Sequence, residues 1–448
     1  MNTSASGFNN TYIIGISFIS ALGGYLFGFD FAVISGALPF LRVQFGLTPV
    51  MEGFVTGSLA LGCIIGCLLA GVIADLSGRK PGLMIAALIF AFSSLGMAFS
   101  PSLPLFILMR FAAGIGVGMA SMLSPMYIAE VSPAAIRGRN VAINQLTIVI
   151  GILVTNLVNY CLADHGQQAW RWMFGLGAVP SALFFIGVIW LPESPRWLMK
   201  VGKKERAQRI LQKIGNASFV EQTVNDIEKS LQGGPKQSWS ALFEKGVRPA
   251  VIVGIVLAVF QQLCGINIVF NYTSTIFASV GASLNKQLFE TVAIGIVNLL
   301  FTLVAMWQVD KLGRRPLMLV GSLGLSVLYI LLAVSLQQHF PPVFISLFVL
   351  MSIAIYAMSL APVTWVLISE IFPNKIRGVA SSIAIVSLWL AYFILVFTFP
   401  ILAERLGTYG PFYFYAAICL AGFVFVKSKV KETKGQTLEQ LEHTIGGH

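Results

Sequence analysis

Charge is scarce in this chain. Only 10% of its 448 residues are Asp, Glu, Lys or Arg, against about a quarter in soluble domains. So few charges exclude a soluble globular domain of this size. Histidine is scarcer still: His165 and His339 fall in short loops, His443 and His448 in the tail. No histidine cluster is therefore available for metal or acid–base chemistry. The five cysteines, Cys63, Cys67, Cys161, Cys264 and Cys419, lie in or beside apolar runs without zinc-ligand or disulfide spacing. They read as small buried residues. Neither a metal nor a cofactor is expected, and the lack of any Ser/His, Cys/His or metal-ligand constellation in the apolar runs excludes an intramembrane enzyme. Met1–Asn10 has no basic n-region, so the first apolar run is expected to remain as a membrane helix.

What fills the chain is apolar sequence, 56% of all residues. Twelve runs reach the roughly 20 residues a membrane helix needs. They cover 12–39, 51–74, 82–99, 104–127, 140–162 and 171–191, then 248–278, 287–308, 316–336, 342–368, 379–403 and 409–426. The net charge of +11 does not point to nucleic acid, because the basic residues sit in alternate loops. Arg79, Lys80, Arg137, Arg139, Lys311, Arg314, Arg315, Lys375 and Arg377 share one side, and only Arg42, Arg171, Lys286 and Arg405 occupy the other. By the positive-inside rule both termini are cytosolic. One long polar segment, Glu193 to about Lys245, separates the halves. Its apolar residues Ala207, Ile210, Leu211 and Ile214 recur at helical spacing, and Gly233-Gly234-Pro235 breaks it. Short amphipathic cytosolic helices are expected there. The division is 1–192 for a first six-helix bundle, 193–247 for the linker, 248–426 for a second bundle and 427–448 for a cytosolic tail.

The halves repeat each other. Asp75-x-x-Gly78-Arg79-Lys80-Pro81 returns as Asp310-x-x-Gly313-Arg314-Arg315-Pro316. Glu130 followed by Arg137-Gly138 returns as Glu370 followed by Arg377-Gly378, and Glu193-Ser194 as Glu432-Thr433. This is a parallel duplication of a six-helix unit, with the binding site expected at the midplane between halves. The acids and arginines gather at helix ends on one face. Asp75, Arg79, Glu130, Arg137, Glu193, Arg196, Asp310, Arg314, Glu370, Arg377 and Glu432 are expected to form salt bridges that latch the cytosolic gate. Topology anchoring by positive charge alone is the alternative, but topology does not require the acids.

Two charges fall inside apolar runs, Asp30 in the first and Arg110 in the fourth. A carboxylate at the bilayer centre costs about 2.5–3.5 kcal/mol on insertion scales. A structural contact between helices is one reading; a proton or cation site paired with Arg110 is the reading taken here, since buried opposite charges are expensive apart. Separating such a pair alters the proton affinity of the acid. Six amides also lie in the runs: Gln145, Gln261, Gln262, Asn267, Asn271 and Asn298. Amides donate and accept at once and so suit a neutral polyol; helix–helix adhesion is the plainer alternative. Asn267 and Asn271, four apart, share a helix face, and Gly265 weakens the helix just before them. Trp365 and Trp389 offer planes for a sugar's C–H face.

Asp75…Gly78-Arg79-Lys80, Ser124-Pro125-Met126-Tyr127-Ile128-Ala129-Glu130…Arg137-Gly138-Arg139, Pro192-Glu193-Ser194-Pro195-Arg196-Trp197-Leu198, Gln261-Gln262-x-x-Gly265-Ile266-Asn267 and Glu432-Thr433-Lys434-Gly435 carry a resemblance. Over essentially its whole length the chain resembles the sugar porter family of the major facilitator superfamily. The resemblance implies an all-α polytopic fold of twelve transmembrane helices in two pseudo-symmetric six-helix bundles. It implies monosaccharide binding by Gln145, Gln261, Gln262, Asn267, Asn298 and Trp365, with Trp389 and Phe27 lining the pocket. Proton-coupled members match Asp30 as proton carrier and Arg110 as its partner, whereas facilitative members are neutral at the first position. The chain departs from the family pattern in several places. Asn271 stands in place of tyrosine, Leu388 of an amide, Tyr392 of asparagine, Ile152 of a symporter's glutamine, Lys431 of proline and Gly177 of a symporter's buried glutamate. The expected activity is proton-coupled symport of a pentose or hexose, such as xylose or glucose, by alternating access. Facilitative uniport is the alternative within the class, and a non-transporting sugar receptor the alternative outside it. The expected partners are the monosaccharide, the proton and the lipid bilayer. A monomer in a bacterial inner membrane is the expected form.

Overall fold

The computed structural model describes residues 8–232, 247–372, 377–430 and 432. Twelve helices among them are long and apolar enough to cross a membrane. The first six are Asn10–Phe45, Pro49–Leu76, Arg79–Ala98, Leu103–Val131, Ala134–Leu162 and Ala169–Trp190. The second six are Arg248–Asn271, Leu284–Gln308, Arg314–Gln337, Pro342–Ile368, Val379–Leu406 and Gly410–Lys429. Lipid offers no hydrogen bonds, so each span satisfies its backbone internally.

Local chemistry sets the ends. Asn9 caps the first span by accepting from the Tyr12 amide, and Gly46 closes it with φ 57°. Thr48 accepts from the Met51 amide at the start of the second span, where Pro49 takes the first helical position. The first span runs six residues beyond the apolar run that ends near Pro39. That proline sits inside the helix and is tolerated because neighbouring helices absorb the disturbance.

The seventh span is broken where the sequence weakens it. One helix covers Arg248–Leu263 and another Ile266–Asn271, and Gly265 between them has φ 89°. A side chain there would be strained and would also collide with the Tyr415 ring. Between the halves, Pro195–Lys200, Lys204–Ile214 and Ala217–Gln232 form the expected short helices. The Asn9 amide donates to the Ile214 carbonyl at 2.9 Å, so the chain start is tied to the linker. The Gly233-Gly234-Pro235 break and the tail from 433 onward lie outside the described residues.

The spans assemble as two pseudo-symmetric bundles of six, the major facilitator fold. Across the divide the second span packs on the eleventh and the fifth on the eighth. The internal repeat maps two onto eight and five onto eleven, so each of these contacts is the image of the other. Within the first bundle, the first and fifth spans approach closely at Gly28, where an added Cβ would lie 1.9 Å from the Ile148 carbonyl oxygen. Four cysteines are buried as expected, but Cys161 is exposed at the end of the fifth span.

Candidate functional site

Packing of the first span on the fourth brings the two intramembrane charges together. Arg110 Nη1 donates to Asp30 Oδ1 at 3.2 Å, and neither side chain has any exposed surface. The pair is held by one hydrogen bond rather than a bidentate fork. Asp30 Oδ2 and Arg110 Nε and Nη2 are buried without a hydrogen-bond partner. The Phe174 ring lies 5.8 Å from the guanidinium carbon. A desolvated pair with one bond and open valences is costly to keep and easy to rearrange. Gly177 stands beside it. A Cβ at that position would lie 2.7 Å from the Phe29 ring and 2.9 Å from Ser94 Oγ, so Phe29 fills the space a second acid would need.

The amides of the seventh span form a chain. Gln261 Nε2 donates to Tyr356 Oη at 2.9 Å, Gln262 Nε2 to Gln261 Oε1 at 2.6 Å, and Asn267 Nδ2 to Gln262 Oε1 at 2.5 Å. Asn271 Nδ2 then donates to the Asn267 carbonyl at 2.7 Å and to Tyr392 Oη at 2.9 Å. Asn271 is fully buried; its amide nitrogen is committed to protein, while its Oδ1 is buried without a hydrogen-bond partner. Asn298 is buried on the eighth span and Gln145 half-buried on the fifth. Trp389 is buried and meets Phe27 edge-on at 5.7 Å, whereas Trp365 is 42% exposed. Tyr356 escapes a sequence reading because tyrosine in an apolar run looks like core, and Tyr392 stands out there only as a departure from the family pattern.

The repeated loop motifs make bonds within each half. Arg79 grips Glu130 with two bonds, 2.8 and 2.7 Å, and donates to the Ala74 carbonyl. Glu193 Oε1 accepts from the backbone amides of Arg79 at 2.9 Å and Ser194 at 2.7 Å, and Oε2 from that of Lys80 at 3.2 Å. Glu432 treats Arg314 and Arg315 the same way, at 2.9 and 3.1 Å. Each acid therefore caps a helix that begins far earlier in the chain and whose own cap residue, Gly78 or Gly313, has no side chain. A carboxylate at a helix N-terminus satisfies orphan N–H groups and meets the positive end of the dipole. A Cβ at Gly78 would lie 2.3 Å from Glu193 Oε2, which is why glycine precedes the arginine. Burial nonetheless pushes the Glu193 carboxyl above its ordinary pKa, against those backbone bonds.

Asp75 pairs with Lys200 of the linker at 2.9 Å on an exposed surface, a contact of little energetic weight. Four of the ion pairs seen lie within one half, Asp75–Lys200 joins a half to the linker, and Lys204–Glu228 lies within the linker. Of the residues expected in the cytosolic gate, Arg79, Glu130 and Glu193 bond within the first half and Glu432 bonds to backbone amides within the second. Arg137 and Arg196 line a cavity of about 460 Å³ beside the linker helix Ala217–Gln232. The side chains of Asp310, Glu370 and Arg377 lie outside the described residues. Replacing Glu193 with alanine is expected to cost about 1–2 kcal/mol, the range of lost N-caps, read as a lower thermal unfolding midpoint in detergent.

The halves do meet, on the face opposite the chain ends. Arg42 forks onto Glu52 with two 2.5 Å bonds and reaches across to Thr275 Oγ1 at 2.6 Å. Ser274 Oγ donates to the Ser35 carbonyl at 2.7 Å, and Asn156 Nδ2 to the Thr291 carbonyl at 2.7 Å. Phe54 of the second span packs edge-on against Phe393 and Phe397 of the eleventh. Arg42 and Glu52 were not legible as partners, since each looks like an ordinary loop-end charge. Glu52→Gln is expected to shift the balance toward opening on this face by about tenfold, the equivalent of one charged hydrogen bond. Distances between spin labels on the loops after the first and seventh spans would read that shift.

A duplicated twelve-helix bundle, closed by cross-half contacts on one face and with a buried charge pair beside an amide array, defines a membrane transporter of the major facilitator class. Comparison with known proteins agrees. The family model described as sugar (and other) transporter matches residues 16–444, and the chain belongs to that family. It is 39% identical to the D-xylose-proton symporter of Escherichia coli strain K12, covering 99% of this chain and 97% of that one. It is 37% identical to the arabinose-proton symporter of Bacillus subtilis strain 168, over 96% and 94%. The partially occluded inward-open structure of the E. coli xylose transporter superposes with a TM-score of 0.86 at 37% identity, over 95% of this chain and all of that one.

Proposed function

We propose that this protein is a secondary active transporter that carries a monosaccharide across the membrane together with a proton, and that it has no enzymatic role. The observation that carries the reading is the isolated Asp30–Arg110 pair, fully buried and singly bonded. A buried acid with an unpartnered oxygen and a breakable cation contact can take up and release one proton as the bundles rock. The amide chain beside it supplies the donor and acceptor groups that a neutral polyol needs. The names of the xylose- and arabinose-proton symporters support both the sugar and the proton.

Alternating access follows from the pattern of contacts. With the outer latch of Arg42, Glu52 and Thr275 made, the site opens toward the face that bears the chain ends. The distribution of Lys and Arg makes that face the cytosol, with both termini there. A bacterial inner membrane and a monomer fit the relatives and the two-bundle architecture. The bundles occupy 1–192 and 248–426, joined by 193–247 and followed by a tail at 427–448. Gln145, Gln261, Gln262, Asn267 and Asn298 are assigned to the sugar, with Phe27, Trp365 and Trp389 around it. Asn271 is assigned to the sugar through its unpartnered Oδ1 and to Tyr392 through its nitrogen.

The test is sugar-evoked proton uptake in liposomes containing the purified protein, with xylose, arabinose, glucose and galactose each added from outside. One of these sugars is expected to draw protons inward. Sugar entry with no proton movement would replace symport by uniport. Binding without entry would indicate a receptor.

A further inference from the structure

We propose that Tyr392 is a positioning residue that ties the state of the amide site to the Asp30–Arg110 pair; this rests on the symport reading above. Tyr392 is fully buried on the eleventh span, bonded to the amide chain and packed on the ring next to Asp30 in sequence. Its hydroxyl accepts from Asn271 Nδ2 at 2.9 Å, the last bond of the amide chain. Its ring lies 5.1 Å from that of Phe31 and 5.8 Å from that of Trp389, which in turn meets Phe27 at 5.7 Å. Phe27 and Phe31, four residues apart on the first span, pack on each other at 5.1 Å and flank Asp30 in sequence. The eleventh span thus grips the helical turn that carries the acid.

The chain is built so that a polyol would disturb it. Gln262 Oε1 accepts from Asn267 Nδ2 at 2.5 Å. A sugar hydroxyl that draws either atom to itself competes with that bond. Asn267 sits on the short helix Ile266–Asn271, hinged at Gly265, so the change passes along about one turn to Asn271. Asn271 has no other side-chain partner than Tyr392, and moving it moves the phenol. The phenol presses on Phe31, and the Asp30 turn follows.

The titratable groups that share an electrostatic environment with Asp30 are Arg110 on the fourth span, bonded to it at 3.2 Å, Cys63 on the second and Tyr392 on the eleventh. Of these, Tyr392 is the one contributed by the second bundle. A link through it therefore also reports the relation of the two halves.

The experiment uses the full chain in liposomes and compares wild type, Tyr392→Phe and Phe31→Leu. The first variant keeps the ring and removes the hydroxyl; the second thins the contact on the Asp30 turn. Three quantities are read with xylose or whichever sugar the wild type carries: exchange rate, protons moved per sugar, and the pH dependence of the apparent sugar affinity. Both variants are expected to keep exchange within about threefold of wild type. Protons per sugar should fall at least twofold, and the pH dependence of affinity should flatten. Wild-type proton ratios and an unchanged pH profile in both variants would overturn the inference while leaving symport standing. A wild type that moves sugar without protons would overturn symport and the inference together.

Discussion

Asp30→Asn is expected to abolish uphill accumulation of sugar while leaving exchange across the membrane intact. Asparagine resembles the protonated acid in size and neutrality, so the variant is held in the proton-loaded form. Its amide oxygen can still accept from Arg110 Nη1, which now bonds Asp30 Oδ1 at 3.2 Å. The transporter can then rock with sugar aboard but has no proton gradient to consume. One elementary charge crossing 100 mV releases about 2.3 kcal/mol, so strict one-to-one coupling supports roughly 50-fold accumulation at that potential. The variant should equilibrate at onefold. Counterflow of labelled sugar measures exchange, and net uptake under an imposed gradient measures accumulation. Loss of both together would mark Asp30 as structural.

Gly28→Ala is the second large effect, and it acts on the fold. The added Cβ would sit 1.9 Å from the Ile148 carbonyl oxygen and 3.1 Å from the Ile152 amide nitrogen. Backbone cannot swing aside as a side-chain tip does, so the first and fifth spans must separate. Overpacking costs about 1–3 kcal/mol even where side chains give way, and this site offers none that do. The shift would also drag Asp30, half a turn along the helix, away from Arg110. The expected result is little or no monodisperse protein in detergent. Gly15→Ala on the same span is the matched control, since nothing lies within 4 Å of its added Cβ; it should behave as wild type.

The legible parts of this protein are those that lipid makes expensive. Twelve apolar runs had to be helices because the bilayer leaves backbone no other partner. Asp30 and Arg110 stood out because charge in a span is costly, and their pairing followed from the cost of leaving either alone. Gly265 announced the break in the seventh span. What remained hidden depended on distant partners. Glu193 reads as a motif acid, and nothing within its own segment says that it caps a helix beginning 114 residues earlier. Arg42 and Glu52 are ten residues apart, but their shared partner Thr275 lies in the other half. Tyr392 stands out only as a departure from the family pattern, because its hydroxyl finds a polar partner only when the eleventh span is laid against the seventh.

The central claim is that sugar movement is driven by the proton gradient through one buried acid. The most direct measurement is the steady-state accumulation of the carried sugar in liposomes as the imposed proton gradient is varied. The account predicts that accumulation rises tenfold for each tenfold rise in the proton gradient, and collapses when a protonophore dissipates it. Accumulation that stays at onefold across all gradients would contradict it and leave a facilitative uniporter.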